Sequence, residues 1–376
     1  MNRKEPLFRV VKRESSSPVR QALAYVAAVV IALLIGAALL SSMDVDPLTF
    51  YQKMVTMGIP GNKSPWRIVE NFVKLFVPLL ITSLALSLAF RMRFWNIGGE
   101  GQFIMGAICA AAAAHKLGPV LPQPLVVLVM ALCGILGGGL YGLIVALLKV
   151  RYNTNETLLT LMLNYIALYL LQFLGETKAG WNFFLDPDSA RPKFAGFPDN
   201  ADMITFPLGP FNLNLSLIIA IVLCVLLFGY LKYTKHGYEI AVVGDSAGTA
   251  HYAGMKVNAI VLRTVFLSAC LIGLAAAFKV GTVGILSTSF TDDVGWTGVI
   301  VAWLAQLNTG IIFVVSALIS MLQHGSTVAA ATFAQVDSSF ADMLQGAILF
   351  LVLAADFFIR FQVVRAQKGG SVNGNG

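Results

Sequence analysis

Two short glycine-punctuated stretches hold the residues best equipped for chemistry. Asn96, Glu100 and Gln102 lie in NIGGEGQFIMGAI, and Asp292, Asp293, Trp296 and Thr297 lie in TDDVGWTGVIVAWLA. Both offer carboxyl and amide groups, which can hydrogen-bond the hydroxyls of a passing solute. Neither offers a reaction. No nucleophile has a base, no carboxylate pair has hydrolase spacing, and the four histidines have no metal-ligand spacing. Cys109, Cys133, Cys224 and Cys270 each stand alone in an apolar run, without a CxxC partner. GIPGNKS at 58–64 looks like a phosphate loop, but Asn62 interrupts the Gly-Lys-Ser order and no strand precedes it. The chemistry on offer is binding and passage, with no cofactor and no metal.

The elements that must position these residues are membrane helices. Of 376 residues, 57% are hydrophobic and only 12% charged, which excludes an ordinary soluble globule. Apolar runs near twenty residues recur at 21–42, 68–90, 97–115, 122–148, 156–175, 214–231, 264–280, 295–307, 309–325 and 340–359. The expected fold is an all-α membrane protein of about ten transmembrane helices. The first run is long for a signal-peptide core and lacks a clear A-x-A site, so it is expected to be retained, with cleavage as the alternative. A formal charge of +7 then says little about nucleic acid. Most lysines and arginines fall on the segments 1–20, 91–96, 149–155, 232–263 and 360–376, which orients the chain N-in and C-in. The expected organisation is a mobile basic tail over 1–20, one transmembrane domain over 21–360, and a disordered tail over 361–376. Within the domain, 176–213 forms an extracytoplasmic loop and 232–263 a cytoplasmic one.

The two polar stretches, 197 residues apart by their first residues Asn96 and Asp293, echo each other: a polar residue, Ile/Val-Gly, two residues, then Gly and an apolar helix. In the ten-span order the first enters its span from inside and the second from outside. Such an inverted repeat places a pathway on its pseudo-symmetry axis. The residues leave two readings open. Asn96 and Asp293 cap the helices that follow while Glu100 pairs with Arg91 or Arg93, or these groups line a pathway. Asn155 is expected to cap the fifth span, and Asn164, deeper in it, must find a partner. Trp303 serves equally as an interfacial anchor or a gate. Gly134, Gly138 and Gly142 form a close-packing stripe for a neighbouring helix. In the 232–263 loop one short helix of about ten residues is expected, capped by Asp245 or Ser246 and closed by Gly254. That rod is either an ordinary surface turn or an insert for a groove on another protein.

FWNIGGEGQFIMGA, NETLLTLMLNYIA and VGDSAGTAHYAGMKV together resemble the permease subunits of ATP-binding-cassette (ABC) importers in the ribose/branched-chain amino-acid permease family, nearest its nucleoside/simple-sugar branch. The likeness runs from about residue 65 to 360. It implies the inverted-repeat type II importer architecture in a bacterial plasma (inner) membrane. Asn96, Glu100, Gln102, Asn164, Asp293 and Trp296 would then lie on the substrate pathway. Gly244, Asp245, Ala250, His251 and Gly254 would form the helix that couples to the ATPase, with Asp245 and His251 departing from the family's usual residues. The implied partners are two ABC ATPase subunits or one doubled chain, a second related permease, usually a different chain, and a substrate-binding protein or lipoprotein. No ATPase site of its own is expected. The readings that compete are an ion-coupled secondary carrier, a passive channel, and an ABC permease for branched-chain amino acids.

Overall fold

The computed structural model describes residues 8–12, 17–333, 335–336 and 338–365. The chain divides into two compact bodies, one holding the residues up to Thr56 with those from Gly325 onward, the other holding Met57–His324.

In the first body, α1 (Pro18–Ser42) packs along α13 (Ser338–Arg360), and the two are tied where the Tyr25 hydroxyl donates to Asp356 at 2.8 Å. Strand β1 (Phe8–Lys12) pairs antiparallel with β4 (Phe361–Arg365), Phe8 opposite Arg365. The sequence reading of two loose tails therefore fails for these ten residues. Pairing partners about 350 positions apart carry no local signal, and each run alternates too briefly to read as a strand. Residues 1–7, 13–16 and 366–376 lie outside the described set. Between the apolar runs 21–42 and 68–90 the chain forms a further helix, α2 (Pro47–Thr56). Proline sits at its first position and the Asp46 carboxylate accepts from the N–H groups of Leu48 and Thr49, a capped start. Phe50 is fully buried against Tyr51, Phe333 and Phe340.

The second body is a helical bundle built on α3 (Pro65–Arg91), α4 (Gly99–Leu117), α5 (Gln123–Tyr152), α6 (Glu156–Glu176), α7 (Leu215–Tyr233) and α10 (Val257–Val283). The glycine stripe of α5 finds its neighbour in α10. A Cβ at Gly138 would lie 2.8 Å from the Ala269 carbonyl and from Gly273, and one at Gly134 would press on Gly273 and Ala277. With no hydrophobic drive between helices in lipid, this backbone-to-backbone approach supplies the packing. Asn155 caps α6, accepting from Leu158 N–H at 3.2 Å, and Lys149 pairs with Glu156 at 2.7 Å.

Eight described helices are long and apolar enough to cross a membrane, α12 (Thr309–Thr332) among them. The two other expected spans are α4 and α11 (Val294–Leu304), the helices that follow the polar repeats. The run 295–307 is corrected: α11 has 11 residues, about 16 Å, roughly half a bilayer core. It stops because Gln306 and Leu307 take left-handed backbone angles, φ 50° and 59°. Residues 176–213 bring the hairpin β2 (Thr205–Leu208) and β3 (Phe211–Asn214) to one end of the bundle. The opposite end carries α8 (Lys235–Asp245) and α9 (Ala247–Tyr252).

Candidate functional site

The two repeats meet. Gly295 N–H, at the start of α11, donates to the Glu100 carboxyl at 2.8 Å, and Glu100 is itself in the first turn of α4. From that junction the helices run to opposite ends of the bundle. His115 of α4 reaches Phe184 and Phe197 of the hairpin-end loop, while Trp303 of α11 stacks on Trp95 at 5.1 Å near the end that carries α8. The partial positive charge of the α11 N-terminus thus meets a carboxyl that stands in the first turn of α4, itself a favourable place for an acidic group. The approach needs glycine, since a Cβ at Gly295 would collide with the Glu100 backbone. The expected pairing of Glu100 with Arg91 or Arg93 does not form. Arg91 donates instead to the Leu307 carbonyl, and Arg93 is exposed with φ 56°.

Asn96, Gln102 and Asn164 lock the chain between α3 and α4. Asn96 Oδ1 accepts from Gly98 N–H and from Gln102 Nε2, both at 3.1 Å, and Asn96 Nδ2 donates to Gln102 Oε1 at 3.3 Å. Asn164, from α6, accepts from Gly101 N–H at 2.8 Å and donates to the Ile97 carbonyl at 2.9 Å. A broken helix inside a membrane must have its freed backbone groups satisfied, and these amides do so. All three are buried. Asn96 bonds the N-terminus of α4 as expected, although Gly98 stands at the cap position itself.

The second break is built differently. Asp293 stands at the N-cap of α11 but makes no side-chain cap bond. Asp292 and Asp293 both adopt left-handed angles, φ 46° and 53°, a strained pair for residues with side chains. Both are exposed, and Trp296 is half-buried. Asp292 is held at 2.6 Å by Lys279, a lysine that is 4% exposed near the end of α10 and also donates to the Thr291 carbonyl. Lys279 escaped the sequence reading, although a lone lysine in the apolar run AAAFKVG is signal enough.

At the other end the expected short helix, capped at Ser246 and closed by Gly254, is α9, and a second helix that the sequence reading did not anticipate, α8, precedes it. Eleven-residue α8 ends at Asp245, and Ser246, not Asp245, caps six-residue α9 by accepting from Thr249 N–H at 3.2 Å. Extended backbone at Ser246 separates the two helices, at one of the two cap positions expected from the sequence. Gly254 closes α9 with φ 77°, as its residue type implied. Of α9 only Ala250 is buried, seated among Met92, Phe94, Val145 and Ile260, while His251 is exposed and Tyr252 is 94% exposed. Gly244 is buried, with no room for a Cβ against the Arg91 carbonyl, so it belongs to the joint beneath the rod rather than its outer face. Arg263 of α10 donates to Glu239 of α8 at 2.9 Å and clamps the joint. Burial pushes the Glu239 carboxyl up, but bonds from Arg263 and His236 outweigh it and hold it below its ordinary value. Thus α9 rests on the end of α3, Arg91 there binds the end of α11, and α11 starts at Glu100.

The chain is similar to several proteins of known naming. It is 26% identical to the nucleoside ABC transporter permease protein NupB of Lactococcus lactis, over 93% of this chain and 94% of that one. It is 26% identical to the glucose ABC transporter permease protein TsgB13 of Haloferax volcanii, over 89% and 88%. It is 28% identical to the guanosine ABC transporter permease protein NupP of Bacillus subtilis, over 81% and 85%. A family model described as the branched-chain amino acid transport system / permease component matches residues 68–353, across both broken helices and the α8–α9 loop. The chain therefore belongs to that permease family and is a multi-pass plasma-membrane protein.

Proposed function

We propose that this chain is the translocating subunit of an ABC importer for a nucleoside or a simple sugar. The observation that carries the solute class is the near end-to-end likeness to permeases named for a nucleoside, guanosine and glucose. Helix α9 is the docking rod for a partner ATPase, with N- and C-termini on the same, cytoplasmic, side. Exposed small residues and one protruding tyrosine suit a groove, and Ala250 fixes the rod to the bundle. The chain has no ATPase site of its own. Movement enters at α9, passes through Gly244 and Arg91 to Leu307, and tilts α11 about the Glu100–Gly295 junction. Asp292 and Asp293, exposed beside that junction, line the route together with a second, related permease chain. A binding protein or lipoprotein delivers the solute.

Uptake by the complete complex in proteoliposomes tests this. Guanosine or glucose should accumulate only with ATP, be indifferent to ionophores, and ignore excess leucine. Ionophore-sensitive uptake without ATP would establish an ion-coupled carrier instead. Competition by leucine would favour the branched-chain reading that the family's description carries.

A further inference from the structure

A cavity of about 500 Å³ lies at the hairpin end of the second body, and Lys279 connects its wall to the break before α11. The first turns of α3, the start of α7, the last turns of α10 and the hairpin line it, open on one side, and none of Asn96, Glu100, Gln102, Asn164, Asp293 or Trp296 is in its lining. Its walls are tied by hydrogen bonds. Asn212 N–H donates to Glu70 of α3 at 2.8 Å, Gln123 of α5 donates to the Asp202 carbonyl at 3.0 Å, Met203 N–H to the Gly281 carbonyl at 2.8 Å, and Asn214 to Thr282 at 3.1 Å. The long loop is thus tied to α3, α5 and α10, and a pocket of this size is in the range that holds small ligands.

The lining selects a class of ligand. Lys74 presents donors, Glu70 and Asp202 present acceptors, Thr205 and Ser216 present groups that do both, Phe278 adds an apolar face, and Lys279, held by Asp292 and the Thr291 carbonyl, adds a positive charge to the wall. An ion of either sign would meet like charge somewhere on this wall. A neutral ring carrying several hydroxyls uses both kinds of partner, because each hydroxyl donates and accepts. Lys279 also leaves the chamber by its other contact, the 2.6 Å bond to Asp292 beside the helix break. We propose that the chamber is a second binding site within this single chain, taking a polyhydroxylated ring solute such as a free pentose, hexose or nucleoside before it reaches the exposed aspartates.

This inference rests on the importer reading, and its test separates the two. The complete complex in nanodiscs, without delivery protein, is titrated with D-ribose, D-glucose and guanosine by equilibrium dialysis. At least one should bind. Thr205→Trp, at an exposed hairpin position, fills the chamber and should weaken that binding about tenfold or more, and Asp202→Asn should weaken it measurably. Tyr252→Ala, at the far end, should leave it unchanged. Wild-type protein that binds none of the three, or binding that Thr205→Trp does not alter, overturns the chamber while ATP-driven uptake still upholds the importer. Binding that follows these variants in a complex lacking ATP-driven uptake overturns the importer and keeps the site.

Discussion

Glu100 and Gly295 are 195 residues apart in the chain and joined by one 2.8 Å hydrogen bond. That contact brings the starts of α4 and α11 face to face, and the rest of the second body supports it. Gly295→Val should wedge the two helix starts apart. Overpacking costs about 1–3 kcal/mol, and the purified protein should melt at lower temperature with uptake lost. Glu100→Gln keeps an acceptor for Gly295 N–H and should melt close to wild type. Glu100→Leu leaves that N–H unpaired and should lose about 1–3 kcal/mol. Equal melting of the two Glu100 variants would show that the bond carries no stability.

Asn164 makes a narrower prediction. It serves one donor and one acceptor on the broken stretch, Gly101 N–H and the Ile97 carbonyl. Asn164→Leu should destabilise by about 1–3 kcal/mol, and Asn164→Asp, which keeps only the acceptor role, by an intermediate amount. The readout is thermal unfolding in detergent.

Residues that the family resemblance groups in one coupling helix should separate into two phenotypes. Gly244→Ala pushes a methyl into the Arg91 carbonyl and should lower stability and expression. Gly254 has open space around it but a left-handed backbone, so Gly254→Val strains only the end of α9, at about 1–2 kcal/mol. Gly254→Val should remain in the membrane with ATP hydrolysis uncoupled from uptake. Identical behaviour of the two variants would contradict the separation of joint from rod.

The α8–α10 clamp has a pH signature. A carboxyl whose folded value is depressed contributes stability that is fully present above its unfolded value, here near 4.5, and lost as pH falls through the lower folded value. The melting difference between wild type and Glu239→Gln should therefore be widest near neutrality. It should close as pH drops below about 4.5. A difference that grows toward acid would reverse the sign of the argument.

Much of this was legible in the sequence. Apolar run lengths marked the membrane helices, and the echo of Asn96 with Asp293 picked out the two broken ones. Gly254 and Asn155 announced a helix end and a helix cap through their residue types alone. What stayed hidden depends on partners remote in the chain. Glu100 is bound by a backbone N–H, which has no residue identity to read, whereas Arg91 and Arg93 lay temptingly close in sequence. The β1–β4 pairing, the Arg91–Leu307 bond and the walls of the outer chamber are likewise long-range. The start of α9 was legible at Ser246, a residue type favoured at caps, whereas α8 before it was not, its Lys235–Asp245 run carrying few large apolar residues.

Tyr252 is the sharpest test of how movement enters. It is 94% exposed at the end of α9 and touches nothing the bundle needs, so Tyr252→Ala should fold and melt as wild type. In the complete complex, solute-stimulated ATP hydrolysis and uptake should be measured together. The account predicts that Tyr252→Ala loses about tenfold or more of uptake while its melting temperature is unchanged. Full uptake at wild-type coupling would contradict it.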